Sequence, residues 1–329
     1  MTNLAPLLES FFTERLYDQR RASPNTIGAY RDSFRLLLGF AKERLGKEPS
    51  ALNLEDIDSS FIGNFLDHLE SKRGNSVRTR NHRLATIHSF FSYIALKEPV
   101  HSGQIQHVLA IPQKRFERNI VTFLTRVEID ALLAAIDQST WLGRRDYTLL
   151  LVALQTGLRV SELTSLRVED IELGRGAHVR CRGKGRKERA TPLSKSCVIA
   201  LKNWLRENKL NPTNPLFPSI HGEALSRDSV NYLVKKYAKI AAKSCPSLAR
   251  KTVSPHVLRH TNAVQLLNAG VDRSVIALWL GHEQVETTQI YLDADLKTKE
   301  KALARTAPPS IKGKRYRPPD RLLAFLEGL

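Results

Sequence analysis

The first hundred residues carry a repeating pattern of apolar positions. From Leu4 to about Lys97, apolar residues recur every three or four positions, most clearly in two stretches. These are Phe34, Leu37, Leu38 and Ala41, and then Ile87, Phe90, Phe91 and Ile94. This spacing collects apolar side chains on one face of an α-helix. We therefore predict that residues 1–100 form an all-helical domain.

The helical pattern stops between residues 98 and 121. Pro99, Pro112 and the basic run QKRFER fall here, and the apolar positions lose their periodicity. Because proline removes a backbone donor and restricts the residue before it, such a stretch is typical of a connection between elements. We predict a linker over residues 101–120 and a second domain over residues 121–300.

The second domain is predicted to combine helices with a short β-hairpin. It opens with a capping box formed by Thr125 and Glu128, and Leu124 and Ile129 stand at the positions of a hydrophobic staple. Further on, short extended runs flank the sequence GKG at 183–185, which is typical of a hairpin turn. The chain as a whole is therefore predicted to be mainly α-helical with a small β-hairpin or sheet, an α+β fold.

Residues 301–329 are predicted to form a basic tail that ends in a short helix. The sequence KGKRYRPPDRLLAFLEGL passes through two prolines to an N-cap at Asp320. The apolar residues Leu322, Phe325, Leu326 and Leu329 then fall at i, i+3, i+4 and i+7. A helix this short is below the ~12 to 15 residues at which isolated helices become marginally stable, so it needs a surface to dock on.

The charge of the chain indicates a polyanionic partner. The 329 residues carry a formal net charge of +18 at pH 7, and a field this positive attracts nucleic acid. Arginines also precede two predicted helices of the first domain, where they fit either a nucleic-acid surface or a solvated helix face. They are Arg20 and Arg21, and then Arg73, Arg78, Arg80 and Arg83.

Membrane attachment and secretion are not predicted. The longest apolar runs, TLLLVAL and VIALWL, are much shorter than the roughly 20 residues of a membrane-spanning helix. The sequence MTNLAPLLESFFTERL lacks the basic segment and small-residue cleavage site of a secretory signal. We therefore expect a cytoplasmic protein that binds DNA and no membrane.

Metal and disulfide sites are weakly indicated. Cys181, Cys197 and Cys245 are widely separated and form no CxxC pair. His256 and His260 have the i, i+4 spacing of a helical metal pair, but residue 257 is Val rather than the Glu of HExxH, and no third ligand is placed by the pattern. We predict no metal, no other cofactor and no disulfide framework.

Four separated segments combine cationic side chains with a potential nucleophile. They are TGLRVSEL at 156–163, the GKG turn, SPHVLRH at 254–260, and LGH at 280–282 followed by Tyr291. In the third segment, Ser254 as N-cap and Pro255 as the first helical residue would place His256, Arg259 and His260 on one face of a helix. Taken alone, the GKG sequence is typical of a tight turn, and Tyr291 of a packed aromatic residue. The SPHVLRH face is equally typical of an exposed polar surface and of a phosphate site.

Together and in this order, the four segments closely resemble the tyrosine recombinases, the phage-integrase family that includes the Xer-type resolvases. The resemblance covers nearly the whole chain and implies a helical, SAM-like core-binding domain followed by a catalytic domain. It implies a set of site residues. These are Arg159, Lys184, His256, Arg259 and His282 around the scissile phosphate, Glu162 as a supporting residue, and Tyr291 as the nucleophile.

The activity implied by the resemblance is cleavage and rejoining of double-stranded DNA. Strands would be joined to the protein through a 3′-phosphotyrosyl bond and exchanged through a Holliday junction, without metal or ATP. The residue types suit this chemistry, because guanidinium groups bind phosphate oxygens in forked hydrogen bonds. A tyrosine hydroxyl with a reference pKa near 10 needs a base or positive surroundings to attack.

The resemblance leaves the biological role and the assembly open. The short layout, without a sizeable extra N-terminal arm-binding domain, resembles the Xer proteins, whereas the basic tail is longer than an Xer-type tail and favours a mobile element. The family implies a dimer on one DNA site and a homo-tetramer on two, with the tail helix on a neighbouring protomer or on its own catalytic domain. A partner recombinase or accessory protein is not indicated by any residue.

Two other functions are weighed against recombination. A helix-turn-helix regulator would explain the charge and the sequence HVLRHTNAVQLLNAGVDRSVIALWLGH, but it leaves Lys184 and Tyr291 without a role. A type IB topoisomerase shares the chemistry, but its motifs match less well.

Overall fold

The computed structural model describes residues 2–116, 121–183 and 188–281. The chain divides into two compact units, residues 1–118 and residues 119–329. Three of the predicted site residues, Lys184, His282 and Tyr291, lie outside the described residues, as does the predicted C-terminal helix. Within the described residues, no helix combines the length and the hydropathy needed to cross a membrane.

The first unit is helical, as the apolar spacing predicts. Its helices are α1 (Leu4–Ser10), which continues as a π-helix over Phe11–Gln19, α2 (Pro24–Leu45), α3 (Ser59–Ser71), α4 (Val77–Ile94) and α5 (Ser102–Leu109). Helices α2, α3 and α4 begin after Ser23, Asp58 and Ser76, whose side chains accept hydrogen bonds from backbone N–H groups in the first turn. Such N-caps satisfy donors that have no partner inside the helix.

Aromatic rings fill the core of the first unit. Phe34 of α2 and Phe90 of α4 meet edge to face with ring centroids 5.4 Å apart, and Phe11 lies against both. The predicted apolar faces are confirmed, since Leu37 and Ala41 are buried on the same side of α2 as Phe34, and Leu38 is partly buried.

The predicted linker is partly wrong. Residues 102–109 form α5, and its Ile105 and Val108 are completely buried in the core of the first unit. These two apolar residues are three positions apart, so they share one face of a short helix. The prolines at 99 and 112 therefore bracket this helix and do not mark a continuous unstructured connection.

The second unit combines helices with a small antiparallel sheet. Its elements are α6 (Arg126–Ala134), α7 (Trp141–Thr156), α8 (Val160–Ser165), β1 (Ile171–Glu172), β2 (His178–Arg182), β3 (Glu188–Pro192), α9 (Lys195–Asn208), α10 (Arg227–Ala241), α11 (Pro255–Asn268) and α12 (Arg273–Leu280). The strands pair in the order β1-β2-β3, with Val179 opposite Thr191 and Cys181 opposite Arg189. The predicted hairpin is thus confirmed, and the two-residue strand β1 was not predicted.

Two predicted helix starts are confirmed in detail. The Thr125 side chain accepts from the Glu128 N–H, and the Glu128 carboxylate accepts from the Thr125 N–H at 2.8 Å. Ser254 is the N-cap of α11 and Pro255 is its first residue. The second of these caps fixes where the HVLRH segment lies in the fold.

Gly157 brings the loop after α7 close to helices α11 and α12. Its φ of 63° is in the left-handed region that favours glycine. A Cβ at this position would lie 2.6 Å from Leu280 Cδ2 and 2.7 Å from Asn262 Oδ1. The approach of this loop to α11 and α12 therefore requires a residue without a side chain.

A buried ion pair connects the start of α6 to the segment that precedes α11. The Glu128 carboxylate accepts from Lys251 Nζ at 2.6 Å and from Ser247 Oγ at 2.7 Å. Lys251 Nζ also donates to the Phe123 carbonyl at 2.8 Å. Glu128 is buried one helical turn before the buried Leu132, so these hydrogen bonds replace the water that its carboxylate loses on folding.

Replacing Glu128 should destabilise the second unit. Glu128→Gln leaves the half-buried Lys251 ammonium without its carboxylate, so we expect the free energy of unfolding at pH 7 to fall by about 2 kcal/mol. Asp130→Asn is the matched control, because Asp130 forms an exposed ion pair with Arg126 on the same helix, and such pairs contribute about 1 kcal/mol or less. The measurement is denaturant unfolding followed by tryptophan fluorescence, since Trp141, Trp204 and Trp279 all lie in the second unit.

The stability lost in Glu128→Gln should depend on pH in a defined way. Burial alone would raise the pKa of Glu128, but hydrogen bonds from Lys251, the Thr125 N–H and Ser247 outweigh it and leave this pKa below its usual value. The stabilisation is therefore complete above the unfolded carboxyl pKa of about 4.3 and is lost as the pH falls through the lower folded pKa. Equal stability losses in Glu128→Gln and Asp130→Asn, or a loss that grows on acidification, would contradict this account.

Candidate active site

The first predicted arginine stands at the start of α8. Arg159 precedes Val160 and has extended backbone angles, so its side chain leaves the helix end beside Glu162. Its Nη1 donates to Glu162 Oε1 at 3.0 Å, and its Nη2 donates to the Gly281 carbonyl at 2.9 Å. The side chain keeps 30% of its surface exposed, so this guanidinium is both anchored and accessible from solvent.

Glu162 is buried beneath two arginines. Its carboxylate accepts from the Arg159 side chain and backbone, and Arg189 of β3 adds two bonds, Nη1 to Oε1 at 3.1 Å and Nη2 to Oε2 at 2.8 Å. Burial alone would raise the pKa of Glu162, but the hydrogen bonds from Arg189 and Arg159 hold that pKa below its usual value. The predicted supporting position is therefore an ionised carboxylate that orients Arg159.

Arg189 was not among the predicted site residues. Its side chain is only 12% exposed, and Arg189 and Thr191 alternate with exposed residues along β3. This alternation is visible in the sequence ERATP once the hairpin register is known, because Arg189 then lies opposite Cys181 and Thr191 opposite Val179. An inward-facing arginine opposite buried residues is the signal that could have identified it.

The second predicted arginine comes from α11. Arg259 is buried, and its Nη1 donates to the Gly157 carbonyl at 2.7 Å while its Nη2 donates to the Leu280 carbonyl at 2.8 Å. These bonds join α11 to the end of α7 and to the end of α12. Arg259 therefore stands between the loop that leads to Arg159 and the residue that precedes Gly281.

Two histidines of α11 lie one turn apart beside these arginines. The rings of His256 and His260 are in contact, with centroids 4.9 Å apart and planes at 74°. His256 is exposed at the surface, yet loss of hydration and the charges of Arg259 and Arg159 lower its pKa. Burial, His256 and Arg259 lower the pKa of His260 to about 4. Both imidazoles are therefore neutral at pH 7.

The last turn of α12 is where the arginines converge. Three consecutive carbonyls accept hydrogen bonds from three different guanidinium groups, Trp279 from Arg189, Leu280 from Arg259 and Gly281 from Arg159. Gly281 ends the helix with φ of 65°, and a Cβ there would lie 2.7 Å from Arg189 Nη1. The next residue in the chain is the predicted His282.

The structure thus brings four predicted site residues together. They are Arg159, Glu162, His256 and Arg259. In the sequence, Lys184 falls between β2 and β3 and His282 follows α12, but these two residues and Tyr291 lie outside the described residues. Among the residues that are described, no group of three or more His, Cys, Asp or Glu side chains is placed to hold a metal ion.

Helices α11 and α12 do have the local layout of a helix-turn-helix. They are joined across Gly270, which has φ of 84°. Arg259, however, is buried against backbone carbonyls of the second unit. Arg259 lies on the first helix of the pair, α11, and its contacts join that helix to the ends of α7 and α12, so the pair forms part of the site described above.

Both units match known protein families. Residues 122–297 match the Phage integrase family, and residues 10–98 match the N-terminal SAM-like domain of phage integrases. A Sinorhizobium fredii protein named as an integrase/recombinase, y4rC, is 60% identical over 327 residues, which is 99% of this chain and 98% of that protein. Tyrosine recombinase XerD of Pseudomonas putida is 32% identical over 293 residues, which covers 87% of this chain and 92% of XerD.

Solved structures of similar fold are also recombinases. XerH bound to its palindromic difH substrate in a post-cleavage complex has a TM-score of 0.68 and 25% identity, over 87% of this chain and 81% of that one. The Tn1549 transposon integrase in complex with transposon right-end DNA shares the fold, with a TM-score of 0.67 at 17% identity over 92% of this chain and all of that one (100%). The family matches and the relatives show that this chain belongs to the phage integrase family and is a tyrosine recombinase.

Proposed function

We propose that this protein is a site-specific DNA recombinase that cleaves DNA through a 3′-phosphotyrosyl intermediate, with Tyr291 as the nucleophile. The observation that carries the proposal is the convergence of Arg159 and Arg259 on the end of α12, beside the exposed His256. The similar XerH structure contains a difH substrate in a post-cleavage complex, which supports double-stranded DNA as the substrate here.

The two arginines would stabilise the phosphate in the transition state. Charge builds up on the non-bridging oxygens as the nucleophile attacks, and a guanidinium group donates forked hydrogen bonds to such oxygens. Arg159 is held by Glu162 and the Gly281 carbonyl, and Arg259 by two carbonyls. Because these contacts fix the groups before DNA binds, little reorganisation is needed during the reaction.

The proton transfers can be assigned to the remaining residues. The Tyr291 oxygen attacks the phosphorus and its proton passes to a neighbouring base, for which the neutral imidazole of His256 and the side chain of His282 are the candidates. The bond from phosphorus to the 5′-oxygen breaks, and Lys184 donates a proton to that oxygen. A lysine among cations has a lowered pKa, which suits a general acid.

Rejoining is the reverse of these steps. A free 5′-hydroxyl attacks the phosphotyrosyl bond and releases Tyr291, so the energy of the original phosphodiester is retained and no ATP is consumed. Strand exchange follows when the hydroxyl comes from a second duplex, and two such exchanges pass through a Holliday junction. No metal or organic cofactor takes part in the proposed steps.

The biological role that we propose is integration, excision or transposition of a mobile element. The support is the integrase/recombinase name of the relative that is 60% identical over 99% of this chain, together with the long basic tail after Tyr291. Resolution of chromosome or plasmid dimers is the alternative, supported by XerD at 32% identity. Action in the cytoplasm, where the DNA lies, fits both roles.

We further propose a dimer on one DNA site and a homo-tetramer on two. Each protomer would contribute residues 1–100 as a core-binding domain, residues 121–300 as the catalytic domain and residues 301–329 as a basic tail for protomer contact. The apolar stripe of Leu322, Phe325, Leu326 and Leu329 would dock on a neighbouring protomer. This stripe is the feature of the tail that needs a partner surface.

Tyr291→Phe should abolish covalent attachment to DNA and retain binding. The change removes only the attacking oxygen, so DNA affinity should stay within about twofold while the adduct disappears. The wild type is mixed with DNA of its host and denatured, and the DNA that stays attached to protein is sequenced, which gives the site and the cleavage position. Tyr232→Phe is the matched control, since Tyr232 is an exposed tyrosine of α10. An adduct that survives in Tyr291→Phe would refute the assignment.

Lys184→Ala should be rescued by a better leaving group. On the site found above, the variant should cleave ordinary DNA at least about 10²-fold more slowly. It should approach the wild-type rate on DNA in which sulfur replaces the bridging 5′-oxygen, because the 5′-thiolate leaves without taking up a proton. Arg159→Ala is the control. It weakens binding of the phosphate in the transition state, so its cleavage defect should be the same on both substrates. Equal defects of Lys184→Ala on the oxygen and sulfur substrates would argue against Lys184 as the acid.

Deleting residues 320–329 should impair assembly on two sites. Single-site affinity should stay within about twofold, whereas the formation of tetrameric complexes and coordinated strand exchange should fall, because the stripe no longer joins protomers. Phe325→Ser should act in the same direction, and Glu327→Gln, which lies off the stripe, is its control. A truncated protein that joins two sites as well as the wild type would contradict neighbour docking, and loss of monomer folding would favour docking in cis.

A further inference from the structure

Arg189 links three elements that surround the proposed site. It belongs to β3, it donates two hydrogen bonds to Glu162 of α8, and its Nε donates to the Trp279 carbonyl of α12 at 3.2 Å. The other two guanidinium groups of the site bind the next two carbonyls of α12. Removing Arg189 would therefore disconnect the hairpin from the helices that hold Arg159 and precede His282.

Arg189 also sets the charge balance around Arg159. Arg159 and Arg189 each carry one positive charge and Glu162 carries one negative charge, so the group has a net charge of +1. Without Arg189, Arg159 and Glu162 form a neutral pair. Because Glu162 is buried, water does not screen its charge, and the full carboxylate would then act on Arg159 alone.

The geometry supports shared use of the carboxylate. Glu162 Oε1 accepts from both Arg159 Nη1 and Arg189 Nη1, and Oε2 accepts from Arg189 Nη2 and the Arg159 backbone N–H. Arg189 thus binds both oxygens of the Glu162 carboxylate and balances its negative charge, which would otherwise act on Arg159 alone. Arg159, which is more exposed than Arg189, remains the arginine that a phosphate can reach.

We infer that Arg189 is a positioning residue for strand cleavage, which neutralises Glu162 so that Arg159 retains a net positive charge for the scissile phosphate. The inference rests on the proposed function. This role differs from a purely structural one in one respect. When Arg189 is removed, the slower cleavage is caused by the uncompensated negative charge of Glu162. Removing that charge should then restore activity.

The test is a double-mutant cycle with Arg189→Met and Glu162→Gln. Single-turnover cleavage is measured on the DNA site recovered with the wild type, together with the affinity for that site. Arg189→Met should cleave about 10²-fold more slowly, in line with the cost of displacing a catalytic group, with the affinity reduced less than the rate. Adding Glu162→Gln should raise the rate by about tenfold, because the group regains its net charge of +1.

A matched pair elsewhere in the second unit serves as the control. Arg144 forms a bidentate pair with Glu207 and also donates to the carbonyls of Gln138 and Ser139, but this pair is partly exposed and on other elements. Arg144→Met and Glu207→Gln should change cleavage by less than about twofold. If Arg189→Met does not fold, Arg189→Lys replaces it in the cycle, because lysine keeps the charge and loses the forked contact.

The outcomes separate the inference from the proposed function. A double variant as slow as Arg189→Met, or slower, would show a structural role and overturn the inference, as would an unchanged rate in Arg189→Met. With Arg189→Lys in the cycle, a rate near the wild type supports the charge argument, and a rate about 10²-fold below the wild type overturns it. A wild type that forms no adduct with DNA overturns the proposed function, and the inference with it.

Discussion

Two helix ends in the second unit are held by side chains of the site, and this capping is the interaction on which the arrangement of the arginines depends. At the end of α7, the carbonyls of Gln155, Thr156 and the capping Gly157 accept from Asn262, Trp279 and Arg259. At the end of α12, the carbonyls of Trp279, Leu280 and the capping Gly281 accept from Arg189, Arg259 and Arg159. Arg259 is common to both sets and so joins the two ends.

This arrangement compensates the cost of burying permanent positive charge. A guanidinium cannot lose its proton at any physiological pH, so a buried arginine must find acceptors. The C-terminal carbonyls of a helix have no partners within the helix, and they carry partial negative charge. The helix ends and the arginines therefore satisfy each other, and Gly157 and Gly281, both in the left-handed region, allow the close approach.

Sequence patterns predicted the parts of the fold that are set by local interactions. The capping box at Thr125 follows from two residues three positions apart, and the start of α11 follows from the adjacent Ser254 and Pro255. The apolar face of α2 follows from helical spacing. The order of the motifs and a family resemblance identified Arg159, Glu162, His256 and Arg259, which the structure brings together. Lys184, His282 and Tyr291 remain predictions from that resemblance.

The features that were missed depend on contacts between distant parts of the chain. Arg189 meets Glu162 across 27 residues and the Trp279 carbonyl across 90, and no local pattern encodes either distance. Strand β1 has only two residues, too few to show alternation. Helix α5 falls within the predicted linker, because only two of its residues, Ile105 and Val108, are buried, and their contacts are with distant parts of the chain in the core of the first unit.

The arginines of the first unit divide into those that bind the protein's own backbone and those that are exposed to solvent. Arg80 is buried and donates to the Pro112 carbonyl, and Arg83 donates to the Ala29 carbonyl and to Ser33. The exposed members of the cluster are Arg20, Arg21, Arg73 and Arg78. These four precede or open α2 and α4, where the partial positive charge of the helix start adds to theirs. Sequence alone counts all six as equal contributions to a charge of +18, but the two that bind backbone carbonyls stabilise the unit, and the four in solvent are those that a polyanion can reach.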